Sequence, residues 1–170
     1  MREQPTLRPI TAAHEFTELE HFAAEIWYEH YPPIIGQAKV EYMLKTFQSA
    51  TALEKQQREG MEFFWIQSAA GRAGYLAIKR EPDSAYLFVS KFYVHQAYRG
   101  KGYGRWAMNQ LKKLTAERQL AGLELTVNRH NSSAIAFYER EGLSHLRDQC
   151  IDIGGGFFMD DYVMRFELKA

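Results

Sequence analysis

The chain has 170 residues, and its 21 basic and 21 acidic side chains balance to a formal charge of zero. A chain of this length is expected to form one domain, residues 1–170, with a substantial buried core. The balanced charge argues against nucleic acid as a main partner, because domains that bind it carry a basic excess.

The cysteine and histidine content limits which disulfides and metal sites the chain can form. Cys150 is the only cysteine, which excludes an internal disulfide and a four-cysteine zinc site. The histidines show no metal-ligand spacing, so we expect no metal. The first five residues form no apolar leader, and no apolar run is long enough to cross a bilayer. We therefore expect no membrane association and a cytoplasmic location.

The N-terminal third is predicted to contain one strand and then helices. The strand covers 6–10, and Thr11 is a suitable N-cap for the helix that follows. That helix should end at the Tyr31-Pro32-Pro33 stretch, because proline cannot continue it. A second helix is predicted over 37–47, and a short charged one runs from a cap at Thr51 to Gly60. The apolar residues at helical spacing in the first helix are Phe16, Leu19, Ala23, Ile26 and Trp27.

The remaining two thirds alternate between strands and helices. A helix with Ala107, Leu111 and Leu114 on one face follows a glycine-rich stretch, and another begins at Asn131 and ends at Gly142. The predicted strands are 61–67, 72–79, 85–94, 123–127, 144–151 and 157–168. This order predicts an α/β fold with a mixed sheet and helices on its faces.

The glycine-rich stretch is the strongest functional signal. Residues 98–105 read Tyr-Arg-Gly-Lys-Gly-Tyr-Gly-Arg, between an apolar strand and a helix. Glycines let backbone N–H groups approach a ligand closely, and a helix N-terminus adds free donors and partial positive charge. The pattern therefore predicts a phosphate or diphosphate site, with basic side chains as counter-charge.

The spacing of the glycines and basic residues distinguishes among the known phosphate-binding loops. A dinucleotide fingerprint would need glycine where Arg105 stands, and no Lys-Ser or Lys-Thr pair completes a Walker loop. The Arg99-x-x-Gly102-x-Gly104 pattern instead resembles the acyl-CoA signature of the GNAT family of N-acetyltransferases. A second stretch, 127–143, resembles another signature of that family, in which an Asn-x-x-Asn pair precedes Phe-Tyr and then Gly-Leu.

Further stretches resemble the PaiA-like diamine or spermidine acetyltransferases within the family. They are Tyr31-Pro32-Pro33, Tyr42-Met43-Leu44 and 160–164. The family resemblance implies an acyl-CoA N-acyltransferase fold, with a mostly antiparallel, twisted sheet of about seven strands flanked by helices. It also implies transfer of an acetyl group from acetyl-CoA to a primary amine in a ternary complex, with a small amine or polyamine favoured. Many family members dimerise, so the resemblance allows a homodimer.

The resemblance also assigns roles to residues. Backbone groups of Phe92, Tyr93 and Val94 would pair with the pantetheine arm, and an N–H near Val94 would polarise the thioester carbonyl. Tyr138 is the expected general acid for the departing thiolate, and Asn131 is expected to cap its helix and contact the cofactor arm. The cofactor-binding set is Phe92, Tyr93, Val94, Arg99, Gly100, Lys101, Gly102, Tyr103, Gly104, Arg105, Asn131 and Tyr138.

The general base and the acceptor stay open. Polyamine acetyltransferases often place a glutamate near position 90, where this chain has Ser90. Water, Glu29, His30 or Tyr93 are the alternatives for receiving the proton. The acceptor pocket is expected around 27–35 and the last hairpin, where Asp160 and Asp161 could attract a cationic amine.

Two other functions fit the same signatures. The first is an acyl-CoA-sensing domain without transfer activity, which the missing acid at position 90 favours and Tyr138 opposes. The second is a protein or peptide N-acetyltransferase, which would need an open groove instead of a deep aromatic pocket.

Overall fold

The structure of the chain is a computed structural model, and it describes residues 4–168. Residues 1–3, at the start of the segment in which no apolar leader is expected, lie outside the described residues. None of the helices within the described part is long and apolar enough to cross a membrane.

Seven strands and six α-helices make up the described part of the chain. In order they are β1 (Thr6–Ile10), α1 (Ala13–His30), α2 (Pro32–Ile35), α3 (Gln37–Phe47), α4 (Ala50–Arg58), β2 (Glu62–Ser68), β3 (Gly71–Arg80), β4 (Tyr86–Val94), α5 (Tyr103–Glu117), β5 (Gly122–Asn128), α6 (Ser132–Arg140), β6 (Ser144–Gly154) and β7 (Phe157–Glu167), with a 3₁₀ turn at Gln96–Tyr98 between β4 and α5.

The strands form a seven-stranded sheet in the order β1-β2-β3-β4-β5-β7-β6. The pairs β1–β2, β2–β3, β5–β7 and β6–β7 are antiparallel, whereas β4 and β5 are parallel. The predicted fold class, a mostly antiparallel mixed sheet flanked by helices, is confirmed.

Contacts divide the chain into two compact units. The first unit extends to Ile78 and includes Lys91–Gly104, and the second contains Lys79–Ser90 and the chain from Arg105 onward. In the first unit, the apolar face predicted for α1 is buried, and Phe16 packs edge-on against Phe63 of β2 with ring centroids 5.4 Å apart. Burial of such aromatic and aliphatic side chains is the main favourable term in folding.

The second unit is built on β5. Its Leu123, Leu125 and Val127 are buried, as the period of two in a strand dictates. On α5, Ala107, Met108 and Leu111 are buried as well. Leu114, predicted to lie on this face, is only half-buried; fully buried Thr115 occupies the face instead and donates its hydroxyl to the Leu111 carbonyl at 2.7 Å.

Two predicted helix caps are wrong. The N-cap of α1 is Ala12, and the Glu15 carboxylate accepts from the amides of Thr11 and Ala12 at 3.1 and 3.3 Å. A glutamate at the third helical position can reach back to these free N–H groups, so a hydroxyl is not needed. The N-cap of α4 is Ser49, whose side chain accepts from the Ala52 amide at 3.2 Å, so Thr51 lies inside the helix.

A buried lysine interrupts the apolar core of the first unit. Lys91 of β4 is only 6% exposed, and its ammonium donates to Gln56 Oε1 at 2.8 Å and lies 5.7 Å from the centroid of the Phe63 ring. Both partners are neutral, so they offset only part of the loss of hydration of the charge. Burial lowers the pKa of Lys91 to about 8.

We predict that Lys91→Met stabilises the protein at pH 7 by at most about 3 kcal/mol, since burial lowers the pKa from 10.5 to about 8 and each unit corresponds to about 1.4 kcal/mol. Loss of the hydrogen bond to Gln56 reduces this gain. Because the unfolded chain binds this proton more tightly, the stability of the unmodified protein should rise from pH 8 to 10, whereas that of the variant should lack this increment. Urea unfolding at several pH values measures the difference. Lys55→Met, at an exposed position, should show no such pH-dependent gap.

Candidate active site

A glycine turn in the first unit separates β4 from α5. Gly100 and Gly102 have φ angles of +74° and +88°, in the left-handed region that residues with a Cβ rarely adopt. No atom lies within 4 Å of the position that a Cβ would take on Gly102, so the space beside its backbone is open. Tyr103 and Gly104 already belong to the first turn of α5. The predicted arrangement of strand, glycine turn and helix N-terminus is therefore present.

The three basic residues of this stretch differ in their partners. The Arg99 guanidinium contacts the Glu29 carboxylate at 2.8 Å and donates through Nε to the Val94 carbonyl at 3.0 Å. Lys101 is exposed, with Nζ 6.0 Å from the centroid of the Tyr98 ring. In the second unit, Arg105 has a 77% exposed side chain and lies 4.0 Å from Glu141. Lys101 and Arg105 therefore lie at the surface. Arg99 is also exposed, at 37% of its side chain, but its guanidinium is held by protein groups.

The end of β4 is fixed by close backbone packing. A Cβ on Gly74 of β3 would lie 2.1 Å from the Tyr93 carbonyl oxygen, so only glycine permits this approach. One residue beyond β4, the His95 amide donates to the Ala73 carbonyl at 2.8 Å. Phe92, Tyr93 and Val94 are each half-buried.

Aromatic rings surround the side chain of Tyr93 within the first unit. Its ring centroid lies 5.1 Å from that of Tyr75, 5.8 Å from Trp27 and 6.4 Å from Tyr31. The Tyr75 hydroxyl donates to Gln48 at 3.0 Å, and burial raises its pKa well above the ordinary value. Trp27, Tyr31 and Tyr93, here called the aromatic cluster, lie in or beside the segment predicted to form the acceptor pocket.

The candidate bases are not equivalent. The Glu29 carboxylate, which would have to receive the proton, is already engaged in the ion pair with Arg99. The His30 ring packs edge-on against Tyr31 at 4.9 Å. Ser90 is half-buried on β4.

In the second unit, Asn131 and Tyr138 are the predicted site residues of α6. Asn131 occupies the N-cap position and is 3% exposed, but its side chain makes no capping bond. Its carbonyl accepts the first hydrogen bond of the helix, from the Ile135 amide at 3.0 Å, and its Oδ1 accepts from the Ser133 hydroxyl at 3.5 Å. The predicted capping by the Asn131 side chain is therefore wrong. Tyr138 is 7% exposed, and its ring lies 5.5 Å from that of Phe137.

The pairing of β4 with β5 is short compared with the two strands. It runs from Tyr86 opposite Gly122 to Val89 opposite Leu125. Both strands continue beyond the last of these pairs, β4 to Val94 and β5 to Asn128.

The acidic residues of the last hairpin are held within the second unit. Asp160 forms a 2.8 Å ion pair with Arg129, and Asp161 is buried. In the same unit, a cavity of about 310 Å³ that the sequence did not predict is lined by Ile135, Glu139, His145, Asp148, Tyr162 and Met164. Within residues 4–168, no three histidine, cysteine, aspartate or glutamate side chains are grouped to hold a metal ion.

Comparison with known proteins assigns the chain to a family. The family model described as "Acetyltransferase (GNAT) family" matches residues 17–143, which is more than half of the chain. A curated relative, the uncharacterized N-acetyltransferase YycN of Bacillus subtilis, is 34% identical over 71 residues. That match covers 41% of this chain and 46% of YycN, so the chain spans less than half the length of this relative.

Solved structures share the fold over nearly the whole chain. The PaiA N-acetyltransferase of Thermoplasma acidophilum, solved with coenzyme A, has a TM-score of 0.77 at 18% identity, covering 98% of this chain and all of that one. A related N-acetyltransferase from Rhodopseudomonas palustris gives 0.81 at 15% identity, covering 99% and 98% of the two chains. A SpeG spermidine N-acetyltransferase chimera, from Vibrio cholerae and hSSAT, gives 0.64 at 16% identity, covering 97% and 96%. At these identities, the likeness is evidence for the fold alone.

We predict that Gly102→Ala abolishes measurable binding of coenzyme A, because a Cβ enters the open space where a diphosphate would meet the backbone amides. Calorimetric titration with coenzyme A measures this effect. Gly60→Ala is the matched control, since Gly60 also has a positive φ, +105°, and open space around it. Both variants should lose about 1 kcal/mol of stability, but only the first should lose binding. Equal affinity in the two variants would contradict the prediction.

Proposed function

The chain belongs to the acetyltransferase (GNAT) family, and from this premise we propose that it transfers the acetyl group of acetyl-CoA to a primary amine of a small molecule. The observation that carries this proposal is the glycine turn with two positive φ angles at the start of α5. The family match at 17–143 includes stretches of both units. We therefore propose that both units serve one acetyltransferase domain.

The cofactor would be held mainly by backbone groups. Amides at Gly100–Gly104 would bind the diphosphate, with positive charge from exposed Lys101 and Arg105. The pantetheine arm would pair with backbone groups of Phe92, Tyr93 and Val94, as an added strand pairs with a sheet edge. Asn131, at the N-cap position of α6, would contact the cofactor arm, as the family resemblance implies.

The proposed reaction is a direct attack in a ternary complex. The neutral amine nitrogen forms a bond to the thioester carbon, and the charge on the carbonyl oxygen is stabilised by a backbone N–H near Val94. One such donor is typically worth about 3–4 kcal/mol of barrier. The carbon–sulfur bond then breaks, and the Tyr138 hydroxyl protonates the thiolate, which gives the amide and free coenzyme A. A phenol suits this step, because its pKa near 10 keeps it protonated at neutral pH.

The proton that the amine loses would leave through water. Ser90 offers no carboxylate, and the carboxylate of Glu29 is already paired with Arg99. An ammonium ion that is transferred out of bulk water also loses its proton more readily, which reduces the need for a strong base.

The aromatic cluster favours a small amine as acceptor. Tyr31 and Tyr93 are half-buried, so part of each ring can meet a ligand, and Trp27 supports them from α1. Ring faces attract ammonium groups and pack against alkyl chains. Spermidine is the substrate named for one of the structural relatives, and a polyamine has a second ammonium that such a cluster can bind.

A thiol-release assay with acetyl-CoA tests the proposed function. The acceptors to compare are monoamines, α,ω-diamines, spermidine, amino acids and short peptides. We expect turnover with small amines, and faster turnover with diamines and spermidine than with monoamines of equal length. Turnover with peptides alone would favour the protein-modifying alternative. Binding of coenzyme A without turnover of any amine would favour the sensing alternative.

We predict that Tyr138→Phe lowers kcat about 100-fold or more, the usual contribution of a positioned acid. The dissociation constant of coenzyme A should change little, because the variant removes only a hydroxyl. Stopped assays and calorimetry measure the two quantities. Tyr86→Phe is the control, since the Tyr86 hydroxyl binds Glu167 at 2.9 Å and has no proposed role. Unchanged kcat in Tyr138→Phe would remove this residue from the mechanism.

We predict that Tyr31→Leu raises the acceptor KM about threefold to thirtyfold, the range that corresponds to cation–π energies of about 0.5–2 kcal/mol. Tyr31→Phe, which keeps the ring, should retain most of the affinity. Tyr28→Leu removes an exposed ring of α1, three residues before Tyr31, and should have no effect. If all three variants bind the acceptor equally, the aromatic cluster does not bind it.

A further inference from the structure

A histidine–carboxylate contact and an ion pair connect α1 to the segment that follows β4 in the first unit. Glu25 and Glu29 lie one helical turn apart on α1, and His95 and Arg99 have the same spacing after β4. His95 Nε2 lies 3.1 Å from Glu25 Oε2, and Arg99 Nη1 lies 2.8 Å from Glu29 Oε2. The two contacts, here called the ladder, therefore join two residues on each segment that are four positions apart.

The hydrogen bonds of His95 fix the first contact. Its Nδ1 accepts from the Ala97 amide at 3.1 Å, so in the neutral ring the proton lies on Nε2 and points to Glu25. Its backbone amide binds Ala73, and its ring packs against Phe22 with centroids 5.5 Å apart. The position of the His95 ring is therefore set by several contacts besides the one with Glu25.

The second contact reaches the end of β4. The Arg99 guanidinium uses Nη1 for both Glu29 oxygens, at 3.0 and 2.8 Å, and Nε for the Val94 carbonyl at 3.0 Å. This geometry exploits the rigid fork of arginine, which holds two acceptors in a fixed relation. A lysine ammonium would lack that second directed donor.

We propose that Arg99 is a positioning residue, which fixes the C-terminal half of α1 to the end of β4 through Glu29 and the Val94 carbonyl, instead of binding the diphosphate of the cofactor. This inference rests on the proposed function, because it concerns the same glycine turn and acceptor. It differs from the role expected from the sequence, in which Arg99 supplies counter-charge to the diphosphate.

The consequence concerns the acceptor. The half of α1 that Glu29 belongs to also carries Trp27 and leads to Tyr31, two members of the aromatic cluster. Loss of the Arg99–Glu29 contact should therefore disturb acceptor binding and the placement of Val94 more than it disturbs binding of the cofactor.

The test is a double-mutant cycle with Glu29→Gln, Arg99→Gln and the double variant. We expect each single variant to lower kcat/KM for the acceptor about threefold to tenfold, with Arg99→Gln at least as impaired as Glu29→Gln because it also loses the bond to the Val94 carbonyl. The double variant should be no worse than Arg99→Gln, because the Arg99–Glu29 contact is already lost there. The dissociation constant of coenzyme A should change less than about threefold. Glu18→Gln is the matched control, since Glu18 pairs with Arg72 at 2.8 Å nearer the start of α1. It should leave kcat/KM unchanged.

Two results would overturn the proposal. One is a tenfold or greater loss of coenzyme A affinity in Arg99→Gln with no change in Glu29→Gln, which would identify a direct phosphate contact. The other is a double variant whose loss of kcat/KM equals the product of the two single losses, which would show that Glu29 and Arg99 act independently.

Hydrogen exchange separates this inference from the proposed function. If the unmodified protein releases no thiol with any amine, the proposed function fails, but the amides of residues 95–100 still report on the ladder. We expect faster exchange of these amides in both single variants of the unliganded protein, with no further increase in the double variant. Unchanged exchange in both would overturn the positioning role.

Discussion

The proposed chemistry depends on one constraint of the backbone: two residues after β4 must adopt positive φ angles immediately before a helix begins. Gly100 and Gly102 meet this constraint, and α5 then starts at Tyr103 with its amides not yet paired within the helix. Backbone donors suit a diphosphate because their positions are set by the fold and need no side-chain ordering. In the proposed site, the open space beside Gly102 would admit the diphosphate to these amides.

The basic side chains around this turn fall into two groups according to their contacts. Lys101 and Arg105 are exposed and available to an anionic ligand, whereas Arg99 is committed to Glu29 and to the Val94 carbonyl. The same contact explains why Glu29 is a poor candidate for the general base, since its carboxylate is already engaged by a guanidinium. On the proposal made for Arg99, this one ion pair engages both a residue expected to contact the phosphate and a carboxylate expected to accept the proton.

Much of the fold follows from local patterns in the sequence. The bounds of β1 and α3 agree with the prediction, because proline, glycine and apolar spacing act within a few residues. The family signatures identified the glycine turn for the same local reason. The caps at Ala12 and Ser49 were missed because several neighbouring polar residues could serve, and packing decides among them. The Arg99–Glu29 pair and the buried partners of Lys91 were not predictable, because they join residues far apart in sequence.

The burial of Lys91 has a chemical consequence if the protein binds acetyl-CoA as proposed, because acetyl-CoA is a thioester. Thioesters acylate neutral amines slowly even without a catalyst, and a lysine with a pKa of about 8 carries far more neutral amine at physiological pH than an ordinary lysine. Burial shields this nitrogen from a thioester in solution, and local opening would rehydrate the amine and restore the ordinary pKa of lysine. Acylation of Lys91 would therefore report local opening at the reactivity of an ordinary lysine, whereas modification of Lys101 would report only its exposure.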